Sequence, residues 1–127
     1  MENKKIFIDF DGVILDSEER ILKQKLSSNL DWDDFFQTVD WFQLLSTSKI
    51  INNSVNYILE KQKSYKNLAI LTKIHTVNEM LAKTEYIRNK QIEIPIFFVP
   101  PRTTKSEIYL PKNGEILIDD SLKNLKD

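Results

Sequence analysis

The stretch KKIFIDFDGVILD, Lys4 to Asp16, decides the fold. Ile6, Phe7, Ile8 and Phe10 surround Asp9; Asp11 and Gly12 follow, and then three more apolar residues. A short run with apolar residues at successive positions predicts a strand buried on both faces. Two carboxylates two residues apart at the end of such a strand are expensive. They need a cation, a hydrogen-bond network or a chemical use to compensate them.

Three more runs of this kind follow: NLAILT (Asn67 to Thr72), PIFFVPP (Pro95 to Pro101) and EILIDD (Glu115 to Asp120). Pro100 and Pro101 close the third. The segments between strands have helical spacing. In DSEERILKQKLSSNL, Ile21, Leu22 and Leu26 stand among charges, which predicts one exposed helix with Asp16 or Ser17 near its N-cap. DWDDFFQTVDWFQLL places Trp32, Phe35, Phe36, Val39, Phe42 and Leu45 near helical spacing. STSKIINNSVNYILEKQK offers a Ser/Thr cap followed by Ile50, Ile51, Val55, Ile58 and Leu59. Thr76 and Glu79 fit a capping box, so another helix is expected from near Val77. RTTKSEIYLPKNG reads as a loop with one short element at Glu107 to Leu110 and a turn at Asn113-Gly114, and SLKNLKD starts a final helix.

Strands that alternate with helices and are too apolar for one-sided burial predict an α/β fold. The expectation is a Rossmann-like three-layer sandwich with a mainly parallel sheet, a single domain over residues 1–127. Residues 16–63 are long for a simple crossover and are expected to form a small helical cap insert after the first strand.

The bulk numbers narrow the function classes. A length of 127 residues suits one core, and a net charge of −1 gives no reason to expect a nucleic-acid polymer or an anionic membrane as partner. The chain has no cysteine, which excludes disulfides and thiolate metal sites. No apolar run approaches the roughly 20 residues of a membrane span. The opening MENKK leads straight into a strand-like run, so a cytoplasmic location is expected by exclusion.

In an open parallel sheet, ligand sites lie beyond the carboxyl ends of the strands. The polar residues at those ends are Asp9 and Asp11, then Thr72, then Asp119 and Asp120. With parallel strands all five converge. Carboxylates without soft ligands make a hard oxygen site, for which Mg²⁺ is the natural occupant. Taken singly, an Asp after a strand is more often a turn former or helix cap, and Thr72 is a plausible cap. The force lies in the set.

The order IDFDGVI, ILT, Lys105 and ILIDD resembles the haloacid dehalogenase-like (HAD) hydrolases, mostly Mg²⁺-dependent phosphatases, from end to end of the chain. Asp9-Phe10-Asp11-Gly12-Val13 matches that family's first motif, Thr72 the second, Lys105 the third and Asp119-Asp120 the fourth. The ILIDDS run and the small helical insert look most like the 5′(3′)-deoxyribonucleotidase-like branch. The resemblance implies a small phosphorylated substrate, Asp9 as nucleophile forming an aspartyl-phosphate, and Asp11 as general acid and base with its backbone carbonyl on Mg²⁺. It implies that Thr72 and Lys105 hold the phosphoryl group, that Asp120 ligates Mg²⁺, and that Asp119 is a second ligand or its support. Arg102 and Lys112 compete with Lys105 for the lysine's role. The family normally continues through a helix and usually another strand, whereas this chain ends at Asp127, so a missing edge strand is expected.

His75, the sole histidine, reads as a solvent-exposed residue at a helix start, and the aromatic residues of 31–45 read as the cap's own small core. A phosphorelay receiver domain also gathers Asp, Asp, Thr and Lys, but there the acidic pair follows the first strand and the phosphoacceptor lies mid-chain; the order here does not fit. The alternative is a truncated or degenerate relative that binds Mg²⁺ or phosphoesters without turnover.

Overall fold

The computed structural model describes residues 4–103 and 114–118. Four strands, β1 (Ile6–Asp9), β2 (Leu68–Lys73), β3 (Ile96–Val99) and β4 (Ile116–Ile118), form one parallel sheet in the order β3-β2-β1-β4. The fold is the expected α/β, Rossmann-like class. The two central strands, β2 and β1, are the most buried. β2 is buried from Leu68 to Thr72, while the edge strands β3 and β4 are only half covered at most positions. Side chains of β1 and β2 alternate between two cores, as a strand's period of two requires. Ile8, Leu68 and Ile70 join the larger core, and Phe7, Ala69 and Leu71 join a second one with Val99 and Leu117.

Four helices lie between β1 and β2: α1 (Ser17–Leu26), α2 (Trp32–Thr38), α3 (Trp41–Ser46) and α4 (Ser54–Lys61). The stretch from Asp31 to Leu45 is two helices instead of a single run. Val39 leaves α2 with an extended backbone, and the Asp40 carboxylate accepts the Gln43 N–H to start α3. The Ser/Thr cap expected before Ile50 does not form. Asn53, in the left-handed region, precedes α4, and Ser54 Oγ donates to the Ile14 carbonyl at 2.8 Å. Ile50 pairs with Leu15 in an isolated bridge, which ties the middle of the insert back to its beginning.

The insert shares the sheet's core. Trp41, Leu44 and Leu45 of α3 and Ile58 of α4 pack in one cluster with Ile8, Phe10 and Ile70, and with Ala82 and Ile87 of α5 (Val77–Asn89). Trp41 is 1% exposed and its indole N–H donates to the Phe36 carbonyl at 3.0 Å, whereas its neighbour Phe42 is 44% exposed. Trp41→Ala is therefore expected to cost about 3–5 kcal/mol in urea unfolding. Phe42→Ala should stay within about 0.5 kcal/mol of the parent. Equal losses from the two would contradict this assignment of the core.

Candidate active site

The site begins with the turn after β1. The Asp9 carboxylate, on a residue only 6% exposed, accepts the Phe10 N–H at 2.8 Å. The Phe10 carbonyl then accepts the N–H groups of Val13, Ile14 and Leu15, at 3.3, 2.9 and 3.2 Å. So tight a reversal needs a residue with positive φ, and Gly12 supplies it at 81°. These bonds bypass the Asp11 carbonyl and leave the Asp11 side chain two residues beyond Asp9 at the carboxyl end of the sheet.

Thr72 reaches the same end from β2. Asp9 lies opposite Leu71 in the parallel register, so Thr72 stands one residue beyond it, fully buried. Between Thr72 and Asp11 lies a group that sequence reading missed. Lys83 of α5 is completely buried, with its Nζ 2.8 Å from Asp11 Oδ2, 2.9 Å from Thr72 Oγ1, 3.0 Å from the Lys73 carbonyl and 2.8 Å from Glu79 Oε2. Burial alone pulls the Lys83 pKa down. The negative charges of Asp11 and Glu79, with their hydrogen bonds, outweigh that pull and leave it raised above the ordinary lysine value of 10.5. The other Asp11 oxygen, Oδ1, accepts from Ser17 Oγ, a buried hydroxyl at the first position of α1. The signal for Lys83 was in the helical period: Glu79, Ala82, Lys83 and Ile87 share the buried face of α5, where a lysine is out of place unless paired.

Half of the expected capping box forms. Thr76 Oγ1 accepts the Glu79 N–H at 3.1 Å, but the Glu79 carboxylate goes to the His75 N–H at 2.7 Å and to Lys83. His75 differs from its expected exposed setting. Its ring is one-third exposed, stacks on Phe36 with centroids 3.7 Å apart and planes within 12°, and puts Nδ1 3.0 Å from Glu79 Oε1. A cavity of about 340 Å³ is lined by Asp9, Asp11, His75 and Glu79 together with Ile21, Trp32 and Phe36 of the insert. Phe36 thus lines the cavity, while Phe35 and Trp41 are core.

Of the residues singled out by sequence, the structure brings Asp9, Asp11 and Thr72 together. Lys105, Lys112, Asp119 and Asp120 lie outside the described residues, and Arg102 is exposed. Among the described residues no three His, Cys, Asp or Glu side chains cluster as a metal site would require. The donors that are described still suit a hard divalent cation: the Asp9 carboxylate, and Asp11 through its carbonyl, since its carboxylate is engaged by Ser17 and Lys83. No described helix is long and apolar enough to cross a membrane. No protein-family model matches the chain, and no curated protein matches it.

Two outcomes follow from Lys83. Removing its charge in Lys83→Met strands Asp11 and Glu79, and breaking a buried pair in this way typically costs about 3–5 kcal/mol. The ammonium's contribution to stability is complete below pH 10.5 and is lost as pH rises through the higher value it has in the fold. Melting temperature should therefore hold from neutral pH up to that point and decline above it, with part of the decline absent in Lys83→Met. An identical alkaline limb in the two proteins would rule out this role.

Proposed function

We propose that this chain is a Mg²⁺-dependent phosphohydrolase of the haloacid dehalogenase-like type, acting on small phosphomonoesters with Asp9 as nucleophile. The observation that carries the reading is the meeting of Asp9, Asp11 and Thr72 at the carboxyl ends of the two central parallel strands, with a buried ammonium bridging Asp11 and Thr72. β4 runs parallel to β1 with Ile118 opposite Ile8, and Asp119 and Asp120 follow it in sequence.

In this reading an Asp9 oxygen attacks phosphorus and the bond from phosphorus to the leaving oxygen breaks, giving an aspartyl-phosphate. Asp11, protonated, gives its proton to the leaving oxygen; it then takes one from the water that attacks the aspartyl-phosphate, which restores Asp9. Ser17 and Lys83 occupy two of the roughly four acceptor positions on the Asp11 carboxylate and so fix its orientation without exhausting it. The Thr72 hydroxyl hydrogen-bonds a phosphoryl oxygen. Lys83 supplies positive charge beside Asp11, in part the role given to Lys105 from sequence. The Asp9 carboxylate, the Asp11 carbonyl and the Asp119-Asp120 pair would hold Mg²⁺, which when bound neutralises phosphoryl charge and orients the phosphate.

The apolar part of the cavity lining favours substrates whose leaving group has an apolar or flat portion. Ile21, Leu22, Trp32 and Phe36 line it, and Leu22 and Trp32 are 48% and 44% exposed there. A second reading, binding without turnover, draws on one observation: both Asp11 oxygens are already engaged, which opposes the proton transfers asked of Asp11.

p-Nitrophenyl phosphate separates the two. Hydrolysis is expected with Mg²⁺ and none after chelation. Asp9→Asn should abolish it with the fold intact, and Asp11→Asn should lower it about 10²–10⁴-fold. An Asp9→Asn protein that turned over at the parental rate would exclude the aspartyl-phosphate route. Calorimetric binding of Mg²⁺ and inorganic phosphate by a parent that hydrolyses no phosphoester would favour the binding-only reading.

A further inference from the structure

Glu79 makes more contacts than a buried residue in the first turn of a helix needs. The capping task belongs to Thr76, whose hydroxyl accepts the Glu79 N–H. The Glu79 side chain, on a residue 1% exposed, divides its two oxygens. Oε2 lies 2.8 Å from Lys83 Nζ, whereas Oε1 accepts from the His75 backbone N–H at 2.7 Å and lies 3.0 Å from His75 Nδ1. The two directions lead to different parts of one cavity. Lys83 continues to Asp11 and Thr72, and His75 lies flat against Phe36 of the insert.

We propose that Glu79 is the positioning residue of this site: one of its oxygens braces Lys83 against Asp11 and Thr72, and the other holds the His75 ring against Phe36. A single side chain thereby sets both the charged end and the aromatic wall of the cavity. The expected effect on rate rests on the phosphohydrolase reading; the effect on the His75 ring does not.

The chemistry of the three partners makes the claim specific. A lysine ammonium has three N–H groups, and Lys83 has four acceptors around it, so the Glu79 charge helps decide how the ammonium sits. The His75 backbone N–H is a donor, and its ring donates when Nδ1 carries the hydrogen. All of Glu79's partners thus present N–H groups to it. Glutamine has nearly the same shape but only one oxygen, and its NH₂ donates. Whichever way the amide turns, an N–H faces either the ammonium or the His75 donors, so Glu79→Gln must break one end of the brace while still filling the space.

The experiment compares the parent, Glu79→Gln, Lys83→Met and the double variant, using p-nitrophenyl phosphate with Mg²⁺ and the ring ¹⁵N spectrum of His75. With one histidine in the chain, that spectrum needs no assignment. In the parent, Nδ1 should carry the hydrogen toward Glu79. Glu79→Gln should lower kcat about 10–100-fold, as loss of an outer-shell partner does, with KM moving less. In the Lys83→Met background it should cause little further loss, because the two residues act as a unit. Lys83→Met should itself shift the His75 ring signal through Glu79. Independent losses that multiply in the double variant would overturn the proposal, as would a Glu79→Gln protein with parental kcat and an unchanged ring spectrum. If Glu79→Gln fails to fold, the ring signal of Lys83→Met decides: a shift supports the brace and an unmoved signal overturns it. If the parent hydrolyses nothing, the phosphohydrolase reading fails by itself, and the ring spectra still decide the brace.

Discussion

Lys83 places one positive charge between two carboxylates, Asp11 and Glu79, on a helix face that otherwise packs Ala82 and Ile87 into the core. That placement is the constraint from which the site follows. Without the ammonium, a largely buried Asp11 and a fully buried Glu79 would stand uncompensated beside Asp9. With it, α5 is fixed against the carboxyl ends of β1 and β2, because the same Nζ also binds the Thr72 hydroxyl and the Lys73 carbonyl. The opening puzzle of two acidic residues ending an apolar strand is resolved in part by a lysine 72 positions away in sequence.

The fold was largely legible in the sequence because it depends on local apolar density. The four apolar runs became the four strands, and the parallel order followed from their two-sided burial and the helices between them. The misreadings were at breaks. Asp40 interrupts 31–45 because its carboxylate caps a new helix, which the aromatic spacing masks. Asn52 and Asn53 both take positive φ before α4, a turn conformation that outweighed the Ser/Thr cap signal several residues earlier.

The site was legible only where a residue ends a strand. Asp9, Asp11 and Thr72 were found that way. Lys83, Glu79 and Ser17 were not, because each sits inside a helix and has meaning only through a partner distant in space. Lys83 looks like one more of a surface helix's many cations until its place on the buried face is counted. Glu79 was noticed, but as half of a capping box; its carboxylate instead found stronger donors in Lys83 and the His75 N–H. His75 was read from its place at a helix start, and nothing local announces the Phe36 ring beneath it.

The shared core of the insert and the sheet bears on how the cavity can change shape. Trp41, Leu44 and Ile58 are buried with Ile8 and Ile70, and the Leu15–Ile50 bridge and the Ser54 bond to Ile14 fasten the insert's base. A cap joined to its body through a flexible linker can swing open at small cost. Lifting this one would expose the interior that the insert shares with the sheet, so it has no hinge that opens without giving up that burial. What movement the cavity has is left to side chains: Leu22 and Trp32, half-exposed in its lining, turn on the nanosecond scale of rotamers instead of the slower scale of domain hinges. The insert is a fixed wall, and its adjustable parts are two side chains.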